Sequence, residues 1–132
     1  MKANNRARGK RFEERVRKDI EKKGWIVDRW NNNVETISRE GVEYAPMSYS
    51  LIKQKYHRFN KFTGFPDFMA YEPTIYDFVG VECKSNGYLT KEEKAKCQWL
   101  LDNKIFTSIM IASKGKKRGQ IIYKEVKWTQ AN

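Results

Sequence analysis

The stretch from Gly64 to Lys84, GFPDFMAYEPTIYDFVGVECK, constrains the fold more than any other part of the chain. It holds two short apolar runs, Phe68–Tyr71 and Tyr76–Val81, separated by the turn signal Glu72-Pro73-Thr74. Residues two apart share one face of a strand. Glu82 and Lys84 therefore point the same way, and Cys83 points the other. If the two runs pair as a hairpin, the start of the first lies beside the end of the second. Asp67 then sits next to Glu82 and Lys84.

Two carboxylates and an ammonium at one sheet edge have a structural reading and a chemical one. The structural reading is an ion pair of Lys84 with Asp67 or Glu82. The chemical reading is a metal-and-water site for phosphodiester hydrolysis. Attack by water on an anionic phosphodiester needs charge neutralised at the phosphate. Mg²⁺ does this, with one or two carboxylates plus waters as oxygen ligands. Asp67 and Glu82 supply the carboxylates, the backbone carbonyl of Cys83 offers a further oxygen, and Mn²⁺ is the alternative ion. Lys84 would position or activate the attacking water, or stabilise the developing charge. Two facing acids without a cation are unfavourable, so pairing by Lys84 or a metal is expected in either case.

Elsewhere, Phe12, Val16 and Ile20 recur at helical spacing and predict a helix over 10–23, stopped by Gly24 at C′. On that helix Glu13 lies roughly 60° from the centre of the apolar stripe, at the boundary of the buried face, and Glu14 lies nearly opposite. Residues 1–11 carry Lys2, Arg6, Arg8, Lys10 and Arg11, and read as a basic arm (1–9) or a helix lead-in. Trp25–Trp30 reads as the first strand. Residues 31–63 form an insertion with few signals. Within it Ser48–Phe59 has helical spacing, and basic and aromatic residues interleave, including Lys53, Lys55, Arg58 and Lys61. That interleaving suits phosphate contact with stacking, or aromatics anchoring a loop under solvated lysines. His57, the only histidine, has no partners at ligand spacing. After the hairpin, Thr90-Lys91-Glu92-Glu93 matches a capping box, and a helix runs to about Asp102. Ile105–Ala112 and Gln120–Val126 read as strands. The turn between them carries Lys114, Lys116, Lys117 and Arg118.

The 132 residues, read as one domain, carry 27 basic and 16 acidic side chains, a net charge of +11. Such an excess in a small domain points to a polyanionic partner, nucleic acid first. No apolar run approaches the ~20 residues of a membrane span, so no membrane partner is expected. No secretory signal is expected either. Cys83 and Cys97 have neither disulfide-framework nor zinc spacing, and read as small core residues in a reducing compartment.

Gly64-Phe65-Pro66-Asp67 before an apolar strand, followed by Val79-Gly80-Val81-Glu82-Cys83-Lys84, resembles the metal core of the PD-(D/E)XK nucleases. Archaeal-type Holliday junction resolvases are one similar subgroup. Their first helix carries a glycine followed four residues later by a metal-site glutamate, a relation that Gly9 and Glu13 share. The VRR-NUC nucleases are the other, and Leu89-Thr90-Lys91-Glu92-Glu93-Lys94 resembles the helix start after their ExK motif. The resemblance implies a restriction-endonuclease-like α/β fold, a central mixed sheet flanked by helices in the order αβββαββ. It implies a Mg²⁺-dependent endonuclease with Glu13, Asp67, Glu82 and Lys84 at its centre. It implies branched DNA, a four-way junction first, as substrate, and a homodimer working in the cytoplasm of a prokaryotic or virus-infected cell. Flap cleavage and non-catalytic nucleic-acid binding are the alternatives. Residues 31–63 fall outside the resemblance. The basic arm, the 49–62 segment and the 114–118 turn would track phosphates.

Overall fold

The computed structural model describes residues 2–36, 44–47, 64–75 and 77–127. Helix α1 spans Lys2–Lys22. Gly24 ends it at φ +95°, a left-handed conformation that costs glycine little. Strand β1 (Ile26–Arg29) follows, then a short pair, β2 (Asn33–Thr36) and β3 (Tyr44–Met47). The central hairpin is β4 (Phe68–Glu72) and β5 (Asp77–Cys83). Helix α2 (Lys91–Asp102), β6 (Ser108–Lys114) and β7 (Ile121–Glu125) complete the described elements.

The main sheet has the order β1-β4-β5-β6-β7. Only β5 and β6 run parallel, with α2 as their crossover; the other neighbours are antiparallel. This is an α/β architecture with a mixed five-stranded sheet flanked by helices. Strand alternation decides which face each helix covers. Phe12, Val16 and Ile20 of α1 pack on Val27, Phe68, Ala70, Val79, Val81 and Ala112. Cys97, Leu100 and Leu101 of α2 pack on the opposite face with Phe106 and Ile109. Burying each Val, Leu, Ile or Phe side chain among these contributes roughly 1.5–3 kcal/mol. The expected capping box is present: Thr90 Oγ1 accepts from the Glu93 N–H at 3.1 Å, and Glu93 Oε1 accepts from the Thr90 N–H at 2.9 Å.

Three expectations shift. Helix α1 begins at Lys2, so the residues read as an arm or lead-in form its first two turns. Their Lys, Arg and Ala content favours helix, and the single Gly9 does not break it. Strand β6 starts at Ser108 rather than Ile105. Ile105 and Phe106 are apolar because they plug the α2 side of the core, where the Phe106 ring lies 5.1 Å from Phe78 and 4.9 Å from Trp30. The insertion holds the β2–β3 pair, which alternation did not reveal; Pro46 lies within it, opposite Val34. The helix read at Ser48–Phe59 and His57 lie outside the described residues. No helix among the described residues is long and apolar enough to cross a membrane.

Candidate functional site

The β4–β5 hairpin sets Phe68 opposite Val81 and Ala70 opposite Val79. The ladder ends at the Phe68–Val81 pair; Pro66, two residues before Phe68, follows a cis peptide bond and lies against Gly80. Proline has no N–H, so β4 cannot continue the ladder there, and the Asp67 side chain takes over. Asp67 Oδ2 accepts from the Cys83 N–H at 2.8 Å. In return, Glu82 Oε1 accepts from the Asp67 N–H at 3.1 Å. The Asp67 carbonyl accepts from the Trp30 N–H at 3.2 Å. Asp67 is thus held from both neighbouring strands. In an antiparallel ladder a residue's N–H and C=O face the same neighbour. The Cys83 carbonyl therefore faces the same side as its N–H, the side of Asp67. Gly80 makes this geometry possible: a Cβ there would stand 2.7 Å from Pro66 Cγ and 3.2 Å from the Phe106 ring.

Glu82 is buried, with 6% exposure. Its face is the α2 side, and Cys83 packs on the α1 side, as alternation requires. Lys84 Nζ lies 4.0 Å from Glu82 Oε2 and 2.5 Å from Glu93 Oε2. Glu13 comes to Asp67 from α1 and also meets Arg29, whose guanidinium is 3.6 Å from Glu13 Oε2. The four residues Glu13, Asp67, Glu82 and Lys84 are therefore neighbours, though they are drawn from helix α1, the start of β4 and the end of β5. Glu93 and Arg29 join them unpredicted. The sequence signals for these two were present. Glu93 is the N3 residue of a capping box that opens at Thr90, shortly after β5 ends at Cys83, and Arg29 shares the strand face of buried Val27.

The electrostatics follow from the burial. Burial first, then the charge of Asp67, pushes the Glu82 carboxyl well above the usual carboxylate range. Burial also raises Asp67, outweighing the Cys83 N–H that favours its ionised form. Glu13 is raised by burial and by Asp67, against the opposing pull of Arg29. Burial alone would lower Lys84, but the hydrogen bond and charge of Glu93, with Glu82 and Asp67, raise it. The result is three carboxyl groups short of positive charge beside one committed lysine. They hold protons more tightly than ordinary acids, and a bound cation would displace those protons.

Among the described residues, no group of three or more His, Cys, Asp or Glu side chains is arranged to hold a metal ion. The layout explains this. The contacts run from Glu13 to Asp67, from Asp67 to Glu82, and from Glu82 through Lys84 to Glu93, a line rather than a ring. A Mg²⁺ ion needs only one or two carboxylates with waters. The donor set here suits that demand through Asp67 and Glu82, with the Cys83 carbonyl beside them. Both cysteine thiols are free, and burial pushes the Cys97 thiol up to about 12.

Of the basic residues expected to meet phosphates, Arg8, Lys10, Arg11, Lys114, Lys116, Lys117 and Arg118 are exposed. Lys114 Nζ lies 5.6 Å from the centre of the Phe12 ring and the Arg15 guanidinium 5.7 Å from it, so the turn and the helix meet there. The Arg6 side chain and Lys53, Lys55, Arg58 and Lys61 lie outside the described residues. No family model, curated protein or solved structure matches the chain.

Proposed function

We propose that this chain is a divalent-metal-dependent endonuclease acting on DNA, with a restriction-endonuclease-like fold of the PD-(D/E)XK type. The observation that carries the reading is the interlock of Asp67 and Glu82, each carboxylate held by a backbone N–H of the opposite strand end, with Lys84 alongside. A purely structural acid pair is better served by a lysine between its carboxylates. Here the ammonium sits on Glu93 and leaves the acids undercompensated. A net charge of +11 on a domain with so acidic a centre also favours a polyanion brought to a cation site.

In this reading Asp67 and Glu82 hold the metal with the Cys83 carbonyl, and Glu13 reaches it directly or through water. Bound there, Mg²⁺ neutralises charge on the phosphate and acidifies its water. Lys84 keeps its proton, so its role is to orient the attacking water and to stabilise charge on the phosphoryl oxygens. Glu93 positions Lys84. The surface where Lys114 meets α1 tracks the DNA backbone. Branched DNA, a four-way junction first and a flap second, is the substrate suggested by the resemblance, and symmetric cutting of a junction calls for a homodimer.

The second reading is a non-catalytic nucleic-acid-binding module. The Lys84–Glu93 pair at 2.5 Å favours it, because it could serve structure alone. Labelled four-way junction, flap and linear duplex, each incubated with Mg²⁺ or EDTA, separate the two. Cleavage of branched substrates only in Mg²⁺ supports the nuclease. Binding of all three with no cleavage of any leaves the binding module.

A further inference from the structure

A second feature opens on the α2 side of the sheet, past the loop that follows Lys84. It is a groove of about 540 Å³, lined by Tyr88, Leu89, Lys94, Lys124, Val126 and Lys127 among others. Its register ties it to the acidic centre. Glu82 pairs with Ile111, and Ile111 pairs with Lys124. These three lie in one row across the same face. At about 4.8 Å between strands, the Lys124 backbone is roughly 10 Å from that of Glu82.

The side chains have the character of a strand-binding surface. Tyr88 is 78% exposed, the most exposed large hydrophobic residue of the described chain. Its ring is presented by a built loop. The Tyr88 N–H donates to Asn86 Oδ1 at 3.0 Å, the Gly87 N–H donates to the Lys84 carbonyl at 2.8 Å, and Gly87 takes a φ of +80°. An exposed aromatic on an anchored loop loses little entropy on stacking. Lys94, Lys124 and Lys127 are all exposed, and none is in an ion pair among the described residues. Glu125 is the acid of the groove. The net local charge is positive, next to an apolar floor of Leu89 and Val126. Bases stack on aromatic faces and phosphates meet lysines along such grooves. A duplex cannot offer a base face to Tyr88 without unstacking; an unpaired strand can.

We propose that this groove binds a single-stranded DNA segment, stacked on Tyr88 and followed by Lys94, Lys124 and Lys127, so that the strand runs toward Glu82. The inference rests on the nuclease reading and narrows its substrate to DNA with an unpaired strand beside the cut.

The test is fluorescence anisotropy on the full chain in EDTA, with an end-labelled oligo-dT, its rU counterpart and a matched duplex. Tyr88→Ala should weaken oligo-dT binding roughly 5- to 150-fold and change duplex binding less than twofold. Tyr88→Phe should bind oligo-dT within twofold of the parent chain. Replacing Lys94, Lys124 and Lys127 together by Ala should lower the slope of log affinity against log salt by about 2. Unchanged oligo-dT binding by Tyr88→Ala, equal losses for strand and duplex, or much tighter binding of oligo-rU would each overturn the proposal. Thermal melting confirms that the variants fold, which the exposure of the replaced side chains leads us to expect. Because no cleavage is read, the two readings fail separately. Strand binding without hydrolysis in Mg²⁺ defeats the nuclease, and hydrolysis with an indifferent Tyr88 defeats the groove.

Discussion

Replacing Lys84 by Met keeps the aliphatic stem and deletes the ammonium. That ammonium lies 2.5 Å from Glu93 and 4.0 Å from Glu82, whose side chain is only 8% exposed. At an effective dielectric near 20, unit charges 4 Å apart interact by about 4 kcal/mol. Water reaching the 28% exposed lysine reduces this, and breaking buried pairs costs about 3–5 kcal/mol. A loss of about 3 kcal/mol at pH 8 is expected. The loss should depend on pH. Burial and Asp67 raise the Glu82 carboxyl, so the folded state binds that proton more tightly than the unfolded chain. Stability then falls as pH climbs from the ordinary glutamate range through the raised value. Without Lys84 the raised value goes higher and the fall deepens. Toward pH 5 Glu82 takes up that proton more readily than an ordinary carboxyl, and the loss narrows to the pair with Glu93. Burial opposes ionisation of Glu93, but Lys84 and the Thr90 backbone outweigh it and hold its carboxyl below the usual range. The loss should then be about 1 kcal/mol. Urea unfolding followed by tryptophan fluorescence in EDTA reads both values. With a slope of about 1.5 kcal/mol/M, the midpoint drops about 2 M at pH 8 and under about 1 M at pH 5. Equal drops at the two pH values, or less than about 0.3 M at pH 8, would refute the claim that Lys84, though seated on Glu93, offsets part of the charge of Glu82.

Gly80→Ala should destabilise by about 1–3 kcal/mol, because its Cβ would strike Pro66 at 2.7 Å; since Pro66 carries Asp67, metal affinity measured by calorimetry should fall with it, and a stable Gly80→Ala protein of unchanged affinity would argue against that coupling. Mg²⁺ at about 100 times its dissociation constant should stabilise the protein by about 2.7 kcal/mol, near 10 °C in Tm for a chain of 132 residues. Asp67→Asn and Glu82→Gln should remove that shift. Because burial raises both carboxyls, protons compete with the metal, and the shift should be larger at pH 8 than at pH 5.5; a shift that ignores pH or survives both substitutions would place the ion elsewhere.

Much of the site was legible because hairpin geometry is local. Turn residues at 72–74 and alternation on either side were enough to put Asp67 beside Glu82 and Lys84 on the face away from Cys83. The helical wheel put Glu13 at the edge of its buried face. Gly24 and the Thr90–Glu93 box were readable for the same reason, since caps are decided within four residues. Long-range packing was not. Ile105 and Phe106 continue an apolar run that looks like strand, and only the Trp30–Phe78 cluster explains why they drop into the core before β6 begins. The β2–β3 pair has four residues a strand and a proline, too little pattern to recognise. The link of Lys84 to Glu93 joins a strand end to a helix start, and neither periodicity reports on the other.

The central claim is that Asp67 and Glu82 make this chain a nuclease, and Glu82→Gln tests it most directly. The substitution preserves shape and leaves an oxygen to accept from the Asp67 N–H. Initial rates of cleavage of a labelled four-way junction in Mg²⁺ should fall by a factor on the order of 10² to 10³ or more, with junction binding in EDTA within a few-fold of the parent chain. Cleavage by Glu82→Gln at the parental rate, or no Mg²⁺-dependent cleavage by the parent chain, would contradict the account.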